Sequence, residues 1–315
     1  MQTGVIGLGR MGGNMARRLG RRGISVHGFS LDAGARTDLA NEGNVEVKSR
    51  IEEMLAALNP PRVVWMMVPA GTATEENIQA LARQLAPGDI VVDGGNAHYR
   101  DSQRRGRLLA EKGIGLVDAG VSGGVWGLEQ GYGLMLGGAC EQVNTILPLI
   151  RALAPAADKG WVYCGPSGAG HFVKMVHNGI EYGLMQAYAE GFSLLAAKQE
   201  LELPLAEIAR AWCHGTVIRS WLLELTADVL QDEASLATVA AEVADSGEGR
   251  WTAQEAIDLG IPTPVISAAL MARFSSQSGD DFGSRLLAML RNRFGGHGLP
   301  GKADRLTSQA PRRDL

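Results

Sequence analysis

The chain has 315 residues, with 30 lysines and arginines against 34 aspartates and glutamates, so its formal net charge is −4. This slightly acidic balance argues against a protein that binds nucleic acid or a membrane surface by charge. Hydrophobic residues make up 45% and charged residues 20%, which is typical of a folded globular protein and not of a disordered one. At this length we expect two domains.

Glycine is unusually frequent and unevenly distributed. The chain contains 42 glycines, yet between Phe192 and Ser246 only Gly215 occurs. A collagen-like repeat is absent, so the excess points to loops that need glycine. We therefore predict a glycine-rich domain at 1–165 and a helical domain at 166–315.

The order of the predicted elements indicates the fold class. Short apolar runs predict strands at 3–6, 24–29, 63–68, 90–93, 115–118, 132–136 and 161–164. Helical patterns between the earlier strands are predicted at 14–19, 33–43, 51–57 and 73–86. This alternation is typical of an α/β fold whose N-terminal domain is a doubly wound, Rossmann-type dinucleotide-binding domain.

The second half predicts an all-α domain that ends in a polar tail. The expected helices span 171–200, 205–213, 217–230, 234–244, 252–259, 264–274 and 282–293. The three cysteines form no close pair, and the longest apolar run, 63–68, is too short to cross a bilayer. With no leader pattern before the first strand, we expect a cytoplasmic location.

A glycine-rich loop follows the first strand and opens the first helix. Its residues are Gly7, Leu8, Gly9, Arg10, Met11 and Gly12. In this context the glycines permit a tight turn and bring backbone N–H groups close to a dinucleotide pyrophosphate. The alternative is a glycine turn without a ligand. We assign Val68, at the end of the strand 63–68, and Asn96 to the same cofactor site.

Asp32 bears on the choice of cofactor. It lies about 20 residues after Gly12, where a carboxylate accepts from the ribose 2′-hydroxyl and repels a 2′-phosphate. The nearest basic residue is Arg36. We expect NAD to be favoured, with NADP possible; a surface-turn aspartate without this role is the alternative.

Two further loops come directly after predicted strands. The first is Asp93-Gly94-Gly95-Asn96 and the second is Val121-Ser122-Gly123-Gly124. Ligands of open α/β sheets bind at the carboxyl ends of the strands, and small residues expose N–H groups there. Taken alone, the first loop is equally consistent with a simple Asx turn.

Five polar side chains form a stripe on the predicted helix 171–200. They are Lys174, His177, Asn178, Glu181 and Tyr182. Most of their neighbours are apolar, so we expect a buried helix whose cavity lowers the pKa of Lys174 and raises that of Glu181. A base and an acid usable near neutral pH would result. A solvent-facing, salt-bridged stripe is the alternative.

The segment Gly168–Tyr182 resembles the helix signature of the decarboxylating 6-phosphogluconate dehydrogenase family. The two loops at 93–96 and 121–124 match that family's other blocks in the same order, and the likeness extends to about His297. The chain is similar to the short form of the family, in which a preference for NAD is common.

The resemblance implies oxidative decarboxylation of 6-phosphogluconate to ribulose 5-phosphate and CO2. It makes Lys174 the general base and Glu181 the acid that protonates C1. The implied substrate-binding residues are Asn96, Ser122, Gly123, Gly124, His177, Asn178, Tyr182, Arg250, Thr252, Arg273, Arg291 and His297. Of these, Tyr182, Arg250, Thr252 and Arg273 would hold the phosphate, with Arg250 in place of the long form's lysine.

The resemblance also implies a homo-oligomer, either dimer or tetramer, in which Arg291 and His297 complete the neighbouring subunit's site. No metal, nucleic acid or membrane partner is expected. Two other functions are weighed against this one. A β-hydroxyacid dehydrogenase for a smaller, unphosphorylated acid would not need the phosphate set, and a non-catalytic dinucleotide sensor would not need both Lys174 and Glu181.

Overall fold

A computed structural model describes residues 1–39 and 42–277, together with Phe282, Leu286 and Met289. These residues form two compact units. The first comprises Met1–Glu190 and Ser246–Ser267, and the second comprises Gly191–Asp245 and the described residues from Ala268 onward. These units are defined by contacts within the structure and do not test the domain boundary predicted at residue 165, which stays a prediction. Arg291, His297 and nearly all of the predicted helix 282–293 lie outside the described residues.

The first unit is built on one eight-stranded sheet in the order β3-β2-β1-β4-β5-β6-β7-β8. The strands are β1 (Gln2–Ile6), β2 (Ser25–Phe29), β3 (Val45–Lys48), β4 (Val63–Met66), β5 (Ile90–Asp93), β6 (Gly115–Ser122), β7 (Gly133–Gly137) and β8 (Trp161–Gly165). Strands β1 to β6 are parallel in the order expected of a dinucleotide-binding sheet. Strand β7 is antiparallel to β6, and β8 follows the direction of β7.

Helices cover both faces of this sheet. They are α1 (Arg10–Arg21), α2 (Ala33–Leu39), α3 (Ile51–Ala56), α4 (Thr72–Gln84), α5 (Tyr99–Ala110), α6 (Gly127–Gln130) and α7 (Cys140–Leu153). Adjacent strand residues face opposite sides, so Val5 joins one buried apolar cluster and Ile6 joins the other. The doubly wound architecture predicted from the sequence is confirmed.

Six more helices complete the described fold. They are α8 (Ala169–Ala197), α9 (Leu205–Trp212), α10 (Trp221–Gln231), α11 (Glu233–Thr238), α12 (Glu248–Leu259) and α13 (Pro264–Gln277). The first unit contains α8 up to Glu190 and also α12, whereas α9 to α11 belong to the second unit. The helical character predicted for the C-terminal half is confirmed.

Several predicted elements differ from those observed. Helix α12 begins at Glu248 instead of 252, and α11 ends at Thr238, six residues before the predicted end. Strand β3 and helices α5, α6 and α7 were not predicted. Among the described residues, no helix combines the length and apolar character needed to span a membrane.

Candidate active site

The loop between β1 and α1 has the geometry of a dinucleotide cradle. A Cβ at Gly12 would lie 1.9 Å from the carbonyl oxygen of Gly7, so only glycine allows α1 to start this close to β1. Gly9 has nothing within 4 Å of the corresponding position, which leaves space for a ligand. Gly9 caps α1 without a side-chain hydrogen bond, so the first N–H groups of α1 are available to an anion. These residues fit a dinucleotide.

Two other residues assigned to the cofactor are Val68, which lies beside this loop, and Leu8, which is part of it. Val68 follows β4, and its Cγ1 would be 3.1 Å from a Cβ at Gly7. Its carbonyl oxygen would be 2.8 Å from a Cβ at Gly95. Val68 therefore brings the loops after β1 and β5 together at the carboxyl edge of the sheet. Leu8 is only 3% exposed, so it offers its backbone and not its side chain.

Asp32 has a structural role at the end of β2. Its Oδ1 accepts from the N–H of Gly34 at 2.8 Å and so caps α2. Nη1 of Arg36 donates to the carbonyl oxygens of Ser30, at 2.6 Å, and Leu31, at 3.1 Å. The carboxylate of Asp32 and the guanidinium of Arg36 therefore both lie at the loop after β2, where the adenosine ribose of a dinucleotide would bind.

The loop after β5 contains one buried polar residue, Asp93, and one exposed polar residue, Asn96. Asp93 is fully buried, and Nη1 of Arg105 donates to its Oδ2 at 3.3 Å. Burial raises the pKa of this carboxyl, an effect that the nearby positive charges partly oppose. Asp93 therefore shapes the loop, whereas Asn96 is exposed at its end.

The loop after β6 turns sharply at Gly123 and Gly124. Their φ angles are 121° and 53°, which side-chain-bearing residues rarely adopt. Asn14 of α1 donates from Nδ2 to the carbonyl oxygen of Val125 at 3.3 Å. This bond holds the Ser122–Gly124 segment beside the dinucleotide cradle.

Helix α8 is anchored to the sheet at its first turn. Asp118 of β6 is fully buried, and its carboxylate accepts from the N–H of Gly168 at 2.6 Å and from that of His171 at 2.9 Å. A carboxylate at this end also complements the helix dipole. A Cβ at Gly170 would lie 2.4 Å from the carbonyl oxygen of Asp118, so the helix backbone lies directly on the strand.

Lys174 lies one turn further along α8, against β6. A Cβ at Gly120 would be 2.4 Å from the Cβ of Lys174, so glycine is what allows the lysine to lie here. Burial lowers the pKa of Lys174, and the negative charges of Glu181 and Glu248 oppose part of that shift. The direction predicted for this pKa is confirmed.

Glu248 is a site residue that the sequence did not predict. It is 4% exposed, and its Oε1 accepts from Nδ2 of Asn96 and, at 3.0 Å, from Nδ2 of Asn178. Glu248 thereby joins the loop after β5 to α8 and α12. The sequence offers little indication of this role, because Glu248 lies outside the predicted helix 252–259. Only its spacing of four residues from Thr252 would place the two side chains on one face of a helix.

His177 and Glu181 continue the polar stripe along α8. Nδ1 of His177 lies 3.0 Å from Oδ1 of Asn178 and 3.9 Å from Oε2 of Glu181. The side chain of Glu181 is 38% exposed, so the desolvation expected for this acid is only partial. The stripe itself is confirmed.

Another face of α8 corrects the expectation of a buried helix. Val173, Ile180 and Leu184 are 37%, 54% and 44% exposed. The physical reason is that the described contacts of α8 with β6, α5 and α12 are made through other faces of the helix.

Three of the four residues expected to bind phosphate, Tyr182, Arg250 and Thr252, belong to the first unit. Tyr182 is buried, and its hydroxyl lies 3.2 Å from Oγ of Ser246. The hydroxyl of Thr252 donates to the carbonyl oxygens of Met175 and Glu248, each at 2.8 Å, and so clamps α12 to α8. Arg250 is exposed on the first turn of α12.

Arg273 belongs to the second unit, where its Nη1 donates to the carbonyl oxygen of Ala244 at 3.0 Å. Arg291 and His297 lie outside the described residues. Within the part of the chain that the structure describes, no group of three His, Cys, Asp or Glu residues could hold a metal ion. The expectation that no metal is needed stays a prediction.

The first unit thus combines a dinucleotide cradle with a partly buried lysine, an acid two turns away and several hydrogen-bonding side chains. This fold and site define a nicotinamide dinucleotide-dependent oxidoreductase. Residues 2–165 match the sequence model of the NAD-binding domain of 6-phosphogluconate dehydrogenase, and 170–290 match that of its C-terminal domain. The chain belongs to the 6-phosphogluconate dehydrogenase family.

Individual relatives agree with this assignment. The NAD(+)-dependent, decarboxylating 6-phosphogluconate dehydrogenase of Haloferax volcanii is 42% identical over 305 residues, covering 96% of this chain and 100% of that protein. The NADP(+)-dependent enzyme of Bacillus subtilis is 41% identical, but the match covers 87% of this chain and 61% of the longer relative. The solved 6-phosphogluconate dehydrogenase of Plasmodium falciparum has a TM-score of 0.81 at 30% identity, covering 94% of this chain and 65% of its own.

Proposed function

We propose that this protein oxidises and decarboxylates 6-phosphogluconate to ribulose 5-phosphate and CO2, with reduction of NAD(P)+. The observation that carries the proposal is the position of Lys174. Burial lowers the pKa of this residue, which lies on Gly120 of β6, with Glu181 and Glu248 close enough to act on its charge. Membership of the family supports the same substrate.

Each catalytic residue has a proton to move in this reaction. Neutral Lys174 takes the proton of the C3 hydroxyl as the hydride leaves C3, and bound nicotinamide supplies the hydride acceptor. The product is a 3-keto acid, and protonated Lys174 polarises its carbonyl oxygen while the bond to the carboxyl group breaks. CO2 leaves, and the C3 oxygen takes the proton from Lys174 to form an enediol.

Glu181 completes the reaction by protonating C1 of the enediol, while the neutral amine of Lys174 takes back the proton of the adjacent hydroxyl group and the carbonyl of ribulose 5-phosphate forms. Its position two turns after Lys174, with the side chain 38% exposed, allows the acid to regain its proton from solvent. Asn96, Ser122, Gly123, Gly124, His177 and Asn178 would hold the carboxylate end and the hydroxyl groups. Tyr182, Arg250, Thr252 and Arg273 would hold the phosphate.

The test is an assay of the purified chain with 6-phosphogluconate and either NAD+ or NADP+. We expect NAD(P)H and CO2 in equal amounts. No reduction of either cofactor would contradict the proposal. Reduction without CO2 release would indicate a simple hydroxyacid dehydrogenase instead.

We further propose that NAD+ is preferred. The carboxylate of Asp32 lies in the loop that would meet the ribose, and its Oδ2 accepts no hydrogen bond from a described residue. Nη1 of Arg36 is already committed to two carbonyl oxygens. A higher kcat/KM with NADP+ than with NAD+ would contradict this preference.

We also propose a cytoplasmic homo-oligomer. The three cysteines are unpaired, which is usual in a reducing compartment. The apolar residues exposed on α8 support burial against a second subunit. The same proposal includes that Arg291 and His297 of one subunit complete the substrate site of its neighbour.

A further inference from the structure

Glu248 occupies a position that is unusual for an acidic residue. It is the first residue of α12, where carboxylates commonly face solvent, yet only 4% of it is exposed. A carboxylate is rarely buried unless partners replace the water that it loses. The partners of Glu248 therefore indicate its role.

One carboxylate oxygen of Glu248 is committed to two amides. Oε1 accepts from Nδ2 of Asn96 and from Nδ2 of Asn178, the second at 3.0 Å. Because a carboxylate oxygen accepts, both asparagines turn their NH2 groups toward it and their carbonyl oxygens away. Oδ1 of Asn178 consequently accepts from Nδ1 of His177 at 3.0 Å. Glu248 thus sets the orientation of three residues proposed to bind substrate.

The other carboxylate oxygen of Glu248 has no such partner. Oε2 is buried and accepts no hydrogen bond from any described residue. The charge of Glu248 acts on Lys174, so the two groups lie in the same region of the site. A buried acceptor of this kind needs a donor. The carboxylate and phosphate of a sugar acid are acceptors that it repels, whereas the hydroxyl groups are donors.

We propose that Oε2 of Glu248 binds one hydroxyl group of the polyhydroxylated acid directly. The inference rests on the proposed function, because a polyol substrate supplies the hydroxyl donor. It adds a substrate-binding residue on α12 to those that the family resemblance implies.

The test measures the Kd of 6-phosphogluconate without cofactor by titration calorimetry. We expect Glu248→Gln to raise the Kd about tenfold, as for loss of a hydrogen bond to a charged group. Binding is then repeated with analogues lacking the hydroxyl at C2, C3, C4 or C5. For one analogue the wild type and the variant should bind equally well, because the interaction is missing from both complexes. For the other three the difference should persist.

Glu255→Gln is the matched control. Glu255 lies on the same helix and also bonds the segment after β5, accepting from the Tyr99 hydroxyl at 2.9 Å. Its loss should leave the Kd unchanged. If Glu248→Gln does not fold, Glu248→Asp retains the charge and enters the same series.

An unchanged Kd, or an equal loss with all four analogues, would overturn the inference, since a merely structural role weakens every ligand alike. These outcomes differ from failure of the proposed function, which would appear as a wild-type protein that neither binds nor oxidises 6-phosphogluconate. The inference would then fall together with that function.

Discussion

Lys174 shows how far the position of a proposed catalytic residue can be predicted from spacing. The 3.6-residue period placed it on one helix face with His177, Asn178 and Glu181, and the structure confirms that face. Glu248 could not be predicted in this way. Its burial depends on α12 packing against α8, which no local pattern in the sequence encodes.

Replacing the proposed base should remove turnover without removing substrate binding. We expect Lys174→Met to lower kcat by about 10²–10⁴-fold, because a methionine cannot take the C3 proton. Steady-state assays give kcat, and calorimetry gives the Kd of 6-phosphogluconate. Lys159→Met, at an exposed lysine, is the control and should leave both values unchanged. Turnover at the wild-type rate would remove Lys174 from the proposed role.

The charges around Lys174 predict a specific pH dependence. Burial lowers the pKa of Lys174 and the two carboxylates raise it again in part. Since the base must be neutral, kcat/KM should fall as the pH drops through this pKa. Glu248→Gln removes one stabilising negative charge, so the acidic limb of the profile should move to lower pH. Glu255→Gln should leave the limb where it is, and a shift to higher pH in Glu248→Gln would contradict the assignment.

At the scale of elements, the sequence predicted the strongly apolar strands and missed β3, α5 and α7 for identifiable reasons. Strand β3 is four residues long, alternates Val with charged residues and lies at the sheet edge. Helix α5 is rich in arginine, and α7 contains Pro148, which ordinarily argues against a helix interior. In each case contacts with the sheet outweigh a weak local preference.

The approach of α8 to β6 can be tested at Gly120. We expect Gly120→Ala to destabilise the protein by about 1–3 kcal/mol, because the new methyl group would displace the helix carrying Lys174. Activity should fall with stability. Thermal unfolding and kcat measure the two effects.

Gly133→Ala on β7 is the matched control for this substitution. Its Cβ would lie 3.6 Å from the Cβ of Ser122, an ordinary contact. We therefore expect nearly wild-type stability and activity there. Equal losses of stability and activity at the two positions would show that the close contact between Gly120 and Lys174 is not what makes alanine unfavourable at Gly120.

At the scale of the whole molecule, the exposed apolar face of α8 bears on assembly. The sequence predicted apolar residues at these positions but assigned them to a core, because a monomer core and a subunit interface have the same composition. Val173, Ile180 and Leu184 instead lie on the surface of the described chain.

We expect the protein to sediment as a multiple of its 33.4 kDa subunit mass. Ile180→Glu should shift it toward the monomer, since a charge on an apolar interface costs binding free energy. Analytical ultracentrifugation over a range of concentrations measures this shift. A wild-type monomer at all concentrations would exclude the proposed assembly.

The reversal of direction between β6 and β7 has a consequence for how binding energy is supplied. Strand β8 ends at the edge opposite the three ligand loops, so α8 begins there and runs along β6 from Asp118 toward Gly120. Its amino end, the usual anion receptor of α/β proteins, is consumed inside the fold by Asp118. In the proposed mode of binding, the substrate therefore meets the flank of this helix and not its amino end. Recognition by α8 consequently depends on side chains, which evolution can exchange one at a time without altering the backbone.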